Sequence, residues 1–379
     1  MANTIDFFRE KKPWSKYKDL ILDYYLQPYL EKIKNLRKPI LIVDCFAGPG
    51  RFFEDGEPGS PLIILDRLRS LHERGFNVCG FFIEQDEYLY DKLTKNVKAT
   101  SVPCQTRCGD FRNFVQEISQ LARDSSAFVY LDPLRPSDLL FNDMRLVYDY
   151  LRVGRSVETL INFMSWNFLR GVWGNRAKII SNGRVLPDHH LTLQFDKVAG
   201  GTYWQNVAFE SVVSENDRAD KLAEGYAAML HTWFQWVLKY AIKDKYEAQS
   251  PKYHLIFGSR HPDALELMNC AMVKARREFV KDGFIVGHLF PNQPDKEVIK
   301  PKEIEKVVVD TAKIVGKTTW KNLRVRATIA NPYIYTDSEF DRGIKQAIKE
   351  GLLCSDCPGT KVEESATVWP GSRKKGDVS

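Results

Sequence analysis

Between Pro39 and Pro133 the chain switches repeatedly between short apolar runs and stretches whose apolar positions recur at helical spacing. Pro39–Gly50 (PILIVDCFAGPG), Val78–Glu84 (VCGFFIE), Val102–Asp110 (VPCQTRCGD) and Ala127–Pro133 (AFVYLDP) read as strands. Near-continuous β-branched and aromatic runs suit strands covered on both faces. Pro61–Leu71, Asp86–Lys95 and Phe111–Arg123 lie between them with helical spacing. The alternation predicts a parallel, doubly wound α/β sheet with helices on both faces. Ahead of it, residues 5–36 read as helical, interrupted by Pro13 and Pro28. That segment is expected to act as a lid or buttress, with Lys11, Lys12, Trp14 and Lys16 packing or touching substrate. After Gly50 the insert RFFEDGEPGS delays the next helix, which Ser60-Pro61 starts as N-cap and first-turn proline.

Beyond Pro133 the pattern predicts a helix over Ser137–Leu151, a fifth strand at Val157–Phe163 and a less regular insertion over 180–214. A long helix over Arg218–Tyr240, a sixth strand at Lys252–Ser259 and a helix over Asp263–Phe279 follow. Residues 287–302 carry three prolines and several charges and read as a linker. Helices over Lys302–Val315, Thr318–Thr328 and Ser338–Glu350 come next, then strands at Leu352-Leu353 and Ala366–Trp369. Three helices and a hairpin predict a winged helix over 303–371, set apart from an α/β unit over 1–286. The tail, 372–379, is expected to be disordered.

The strands matter chemically because each ends in an acid. Asp44 runs into Cys45-Phe46-Ala47-Gly48-Pro49-Gly50, where Gly48 and Gly50 let the backbone pass close to a ligand. An acid at that strand end would face the pyrophosphate of a dinucleotide, and suits instead a cofactor with a cationic amino group, S-adenosylmethionine. Gly48-Pro49-Gly50 also lacks the third spaced glycine of a nicotinamide fingerprint. Glu84 is placed to accept from ribose hydroxyls, and Asp110-Phe111 to meet the adenine. Phe46 joins the same cofactor-binding set. Asp132-Pro133 reaches the same edge, with Asp132 as base or acceptor of a target amine's hydrogen bond and the Pro133 carbonyl as second acceptor. Amino-group methyltransferases carry there an acid or amide, two prolines and an aromatic. This chain has Leu134 and Arg135 in place of the second proline and the aromatic, which puts adenine N6 methylation in doubt.

Composition narrows the setting. The chain has 379 residues, 44% hydrophobic, and no apolar run of membrane-spanning length. Its seven scattered cysteines argue against a disulfide framework and for a reducing, cytoplasmic home. Cys354-x-x-Cys357 has no second pair at zinc-finger spacing, so no metal is expected. Fifty-five basic against 49 acidic residues give a net charge of +6, which permits a nucleic-acid partner. Lys321, Arg324, Arg326, Arg342 and Lys345 are the candidate phosphate contacts. Met164, Trp166 and Phe168, beside Asn162 and Asn167, read either as a base-stacking platform or as core.

FFREKKPWSKYK, VDCFAGPGRF, GEPGSPL, FFIEQD, LDPL, LINFM and YHLIFGSRHPDALELMNCAMVKARREF together resemble the three-Cys-motif partner proteins of bacteria and phages. The resemblance spans most of the chain. It implies a Rossmann-like class I methyltransferase sheet that binds S-adenosylmethionine, and a partner protein, encoded nearby, that supplies the three cysteines. Carried over by position, Asp44, Gly48 and Gly50 hold the methionine part, Glu84 the ribose and Asp110 the adenine, while Asp132 faces the reaction. Two functions remain open on these grounds. One is a methyltransferase acting on DNA or RNA with its partner; the other is a non-catalytic module binding nucleic acid or that partner.

Overall fold

The computed structural model describes residues 4–149, 156–210, 214, 217–242, 251–281, 301–357 and 363–371. Helices α1 (Thr4–Phe7) and α2 (Pro13–Ile33) precede β1 (Ile40–Asp44). Then come α3 (Ser60–Glu73), β2 (Val78–Glu84), α4 (Glu87–Lys98), β3 (Cys104–Cys108), α5 (Val115–Arg123) and β4 (Ser126–Leu131). After α6 (Arg145–Tyr148) and β5 (Val157–Phe163) the chain forms α7 (Ser165–Gly174), α8 (Arg176–Ile179) and a hairpin of β6 (Ile180–Ser181) and β7 (Arg184–Val185). Helices α9 (His190–Ala199), α10 (Trp204–Phe209) and α11 (Arg218–Leu230) lead to β8 (Trp236–Ile242), β9 (Tyr253–Ser259) and α12 (Pro262–Lys281).

One sheet has seven strands in the order β3-β2-β1-β4-β5-β9-β8. The first five are mutually parallel, and β9 runs antiparallel to both neighbours. Alternation along β1 explains the layering, because successive side chains point to opposite faces. Ile40 and Ile42 join α2, α3 and α12 in one core, whereas Leu41 and Val43 join α5, α7 and α11 in the other. Burying a side chain such as Phe128 or Phe257, both fully enclosed, contributes about 1.5–3 kcal/mol each before entropy is counted. The Glu158 carboxyl lies inside this packing, taking hydrogen bonds from Tyr25 Oη and from Ser259 Oγ (3.1 Å). Burial pushes its pKa up to about 7.

Three expectations change. The long helix over Arg218–Tyr240 ends at Leu230, and Trp236–Ile242 pairs with β9 instead. Leu238, Tyr240 and Ile242 are buried and their neighbours are not, a period of two that only a strand satisfies. The sheet is therefore mixed, not wholly parallel. The helix over Ser137–Leu151 shrinks to a 3-10 turn at Pro136–Asp138 and to α6, because Asp143 accepts from the Leu140 amide (2.7 Å) and turns the chain. Leu151 lies outside the described residues. The insertion over 180–214 is more regular than expected, with α9 and α10 closing on a buried Trp204 whose indole donates to Asp196 (2.7 Å).

A separate core gathers α13 (Pro301–Val315), α14 (Trp320–Ala330) and α15 (Asp337–Lys349) around Val308, Leu323, Phe340 and Ile344. Strands β10 (Thr318–Thr319), β11 (Leu353–Ser355) and β12 (Thr367–Pro370) form an antiparallel sheet in the order β10-β12-β11. Most of the expected linker over 287–302, and the tail over 372–379, lie outside the described residues. The unit is docked on α12. There Asn269 donates to the Tyr335 carbonyl (2.8 Å) and accepts from the Tyr333 amide (2.7 Å). Arg277 meets Glu339 at 2.9 Å on the same surface.

Candidate functional site

Parallel strands β1, β2, β3 and β4 all finish at one edge of the sheet, and a cleft of ≈ 1180 Å³ opens there. Open α/β sheets bind ligands outside the carboxyl ends of their strands, where the strand order reverses direction. That reversal lies here between β1 and β4. The volume lies slightly above the usual range for small-molecule sites, roughly 300–1,000 Å³. It leaves room for a cofactor together with part of a second ligand.

The glycine loop has the shape the sequence demands. Gly48 and Gly50 have φ of 61° and 78°, a left-handed conformation that favours glycine. The Gly48 amide donates to Glu84 Oε2 (2.8 Å), and the other oxygen of Glu84 accepts from the Asp86 amide (2.8 Å). Phe8 lies directly over Gly48, where an added Cβ would sit 2.6 Å from its ring. The Phe8 and Arg9 carbonyls bind the Phe53 and Glu54 amides (both 2.9 Å), so the N-terminal segment forms a wall of the cleft.

Phe46, Gly50, Glu84, Asp110, Phe111, Asp132 and Pro133 line the cleft, as expected from the sequence, but Asp44 and Gly48 stand behind the lining. The Asp44 carboxylate is wholly buried. It accepts from Ser60 Oγ (2.6 Å) and from the Phe46 amide (3.1 Å), fixing the loop and the start of α3. Desolvation raises its pKa to about 7, against the opposing pull of those two hydrogen bonds. Burial likewise raises Glu84. Phe46 and Phe111 pack with ring centroids 5.1 Å apart and tilted planes. Beside them Asp110 is held by Arg112, through its amide (2.9 Å) and its guanidinium (2.8 Å). Arg112 also reaches Asp143 at 2.9 Å, tying β3's edge to the segment after β4.

At the far end, Asp132 takes a hydrogen bond from Asn162 Nδ2 (2.8 Å) and an ion pair from Lys18. Lys18 comes from α2, and with it Asp19, which pairs with Lys11 at 2.6 Å. The sequence reading overlooked Lys18. A signal was present, for Lys18, Leu22, Tyr25 and Tyr29 fall on one helical stripe, and a cation on a buried stripe needs a partner. The stacking platform dissolves in part. Met164 lines the cleft, but Phe168 is core against Phe195 and Trp204, and Trp166 packs edge-on to Trp173.

None of the five candidate phosphate contacts lines this cleft, and they do not form one set. Arg324 is buried and saturated: its guanidinium contacts Glu266 (2.6 Å), Asp341 (3.0 Å) and Glu364 (2.7 Å). Lys321 pairs with Asp263 on α12 and lies 3.4 Å from Glu364. Both bind the C-terminal unit to α12, so they are corrected from surface contacts to interface residues. Arg326, Arg342 and Lys345 are exposed.

No protein-family model matches the sequence, and no curated protein matches it. Among solved structures, a Legionella pneumophila protein of family DUF519 aligns with a TM-score of 0.40 at 9% identity, over 68% of this chain and 90% of that one. A putative methyltransferase from Porphyromonas gingivalis aligns with a TM-score of 0.22 at 17% identity, over 37% of this chain and 32% of that one. Geranyl diphosphate C-methyltransferase from Streptomyces coelicolor, solved with S-adenosyl-L-homocysteine, gives 0.24 at 12% identity, over 59% of this chain and 74% of that one. All three scores fall below one half, so the reading of this chain rests on its own strand order and cleft.

Proposed function

We propose that this protein is an S-adenosylmethionine-dependent methyltransferase of the class I fold, acting on an amino group of DNA or RNA together with a partner protein. The observation that carries the reading is convergence. Four neighbouring strands bring a glycine loop, Glu84, the Asp110-Phe111 pair and Asp132-Pro133 to one cleft of ≈ 1180 Å³. The reversed strand β9 between β5 and β8 separates this sheet from the all-parallel dinucleotide sheet and agrees with the methyltransferase fold.

The residues fit such a cofactor. Glu84 keeps lone pairs beyond those given to Gly48 and Asp86, enough to take ribose hydroxyls. Phe46 and Phe111 offer apolar faces for a purine, with Asp110 beside them. Asp44 acts one step back from the ligand, by holding Phe46 and Ser60 in place. When bound, the cofactor supplies a methyl group already activated on a cationic sulfur, so the protein has mainly to orient and desolvate the acceptor. Asp132 accepts a hydrogen bond from the acceptor amine and can take its proton, while Lys18 balances the carboxylate's charge and Asn162 fixes its rotamer. The Pro133 carbonyl is the second acceptor.

The C-terminal unit, about residues 303–371, is read as a winged helix, supported by its helix order and three-stranded sheet, with 1–286 as the methyltransferase unit. The exposed Arg326, Arg342 and Lys345 are left there for the partner protein. The resemblance to three-Cys-motif partner proteins supports the same assignment, and the seven scattered cysteines support a reducing, cytoplasmic setting. Among the described residues no helix is long and apolar enough to cross a membrane. Calorimetric titration of S-adenosylmethionine into the purified chain tests the reading. Micromolar binding lost in Glu84→Ala upholds it, and no heat even at millimolar cofactor would leave a non-catalytic binding module.

A further inference from the structure

The insertion that follows β5, taken with the helices that lead into it (α7 to α9, Ser165–Ala199), stands beside the cleft and carries charge that the other described residues do not neutralise. Arg170, Arg176, Lys178, Arg184 and Lys197 are all exposed, and none has an ion-pair partner among the described residues. Between Ser165 and Ala199 only Asp188 and Asp196 oppose these five cations, and Asp196 is engaged by Trp204. The C-terminal unit presents the opposite case. Its described residues hold ten basic and ten acidic side chains, and two of the basic ones are committed to α12. By charge, the insertion is the better electrostatic footprint for a polyanion.

Position agrees with charge. The insertion leaves the sheet immediately after Asn162 and Met164, both of which line the cleft. Helices α7 and α9 touch the 3-10 turn Pro136–Asp138, whose neighbours Leu134 and Arg135 form the rim. The β6–β7 hairpin is closed by Asn182-Gly183, with φ of 49° and 74°, the pair of left-handed residues that a tight type I′ turn requires. Arg184 sits on this hairpin and Lys178 on α8 just ahead of it, the two joined by the Leu186 amide donating to the Ile179 carbonyl (2.8 Å).

We infer that this face, centred on Arg176, Lys178 and Arg184, grips the phosphate backbone of the nucleic-acid acceptor and delivers its target base to Asp132. The inference rests on the proposed methyltransferase reading and names the surface that reading needs. Removing one phosphate-binding cation should lower the slope of log K against log salt by about 0.9 on duplex DNA and about 0.7 on a single strand.

Fluorescence anisotropy with labelled single-stranded and duplex DNA and RNA, run on the full chain across a salt series, tests it. The variant Arg176→Ser/Lys178→Ser/Arg184→Ser is expected to bind at least about tenfold more weakly and to lose about 2–3 from the slope. Arg342→Ser/Lys345→Ser, on the C-terminal unit, is expected to change affinity less than about twofold. The four probes tell DNA from RNA. The inference is overturned if the insertion variant binds like wild type, if the C-terminal variant takes the larger loss, or if wild type binds no probe at about 50 mM salt. Cofactor calorimetry on the same samples separates the two claims. Retained binding in the insertion variant shows an intact fold, whereas absent binding in wild type overturns the methyltransferase reading and leaves the phosphate face to be judged by anisotropy alone.

Discussion

Lys18 on α2 and Asp132 at the end of β4, separated by 114 residues in sequence, form an ion pair at the wall of the cleft. Little of either side chain meets solvent, at 8% and 19% exposure. Removing one partner therefore strands the other in a poorly solvated place. Lys18→Met is expected to destabilise the fold by about 3 kcal/mol, the lower end for a broken buried pair. Adding Asp132→Asn should recover part of that loss. Urea unfolding of wild type, both single variants and the double variant gives the coupling directly, and independent, additive losses would show that the pair contributes nothing.

Asp44 and Glu158 set an expected pH dependence of stability. Their folded pKa values, each about 7, lie above the ordinary carboxyl range, so the folded state holds these protons more tightly than the unfolded chain. Stability from this source falls as pH rises from about 4 towards 7 and levels off above. His254, whose pKa burial lowers, works in the opposite direction. The clean quantity is thus the difference between wild type and Asp44→Asn/Glu158→Gln. That difference in urea midpoint should shift steadily between about pH 5 and pH 7.5. A constant offset across the window would place both carboxyls at ordinary values.

Gly48 is constrained twice, by its positive φ and by the Phe8 ring above it. Gly48→Ala is expected to cost about 1–3 kcal/mol from backbone strain and steric overlap together. Phe8→Ala in the same chain removes the overlap and leaves the strain, so it should restore only part of the thermal midpoint. Complete restoration would mean that the left-handed conformation costs little here.

Arg324 is expected to matter for stability and not for cofactor affinity. Glu266→Ala leaves the buried guanidinium with Asp341 and the half-exposed Glu364 alone. A loss of about 3–5 kcal/mol is expected, with increased hydrogen exchange along α14. Calorimetric cofactor affinity should stay within about twofold, a difference of about 0.4 kcal/mol.

The acids at the cleft were legible because a buried strand must end somewhere, and the residue after ILIV or FVYL marks the edge. What stayed hidden depended on partners far away in sequence. Asp44 has the pattern of a ligand residue, yet Ser60 Oγ and the Phe46 amide claim its carboxylate, and no spacing rule shows that. Arg324 was misjudged for a different reason. Trp320, Leu323, Arg324 and Ala327 share one face of α14, and reading that stripe would have placed the arginine inside. Strand β8 was hidden by the helix before it, since HTWFQW keeps apolar residues at both periods until Trp236.

The docking of the C-terminal unit on α12 bears on how such a chain can be inherited. Glu266, Asp263 and the Asn269 amide face partners supplied by residues 321–364. An α/β unit cut free after α12 would present these groups to water without their counterparts, and a foreign C-terminal unit would meet them as mismatched charges. Exchange of that unit between lineages would therefore have to carry the outer face of α12 with it. The seam at which such chains recombine should fall ahead of α12, not in the segment between α12 and α13.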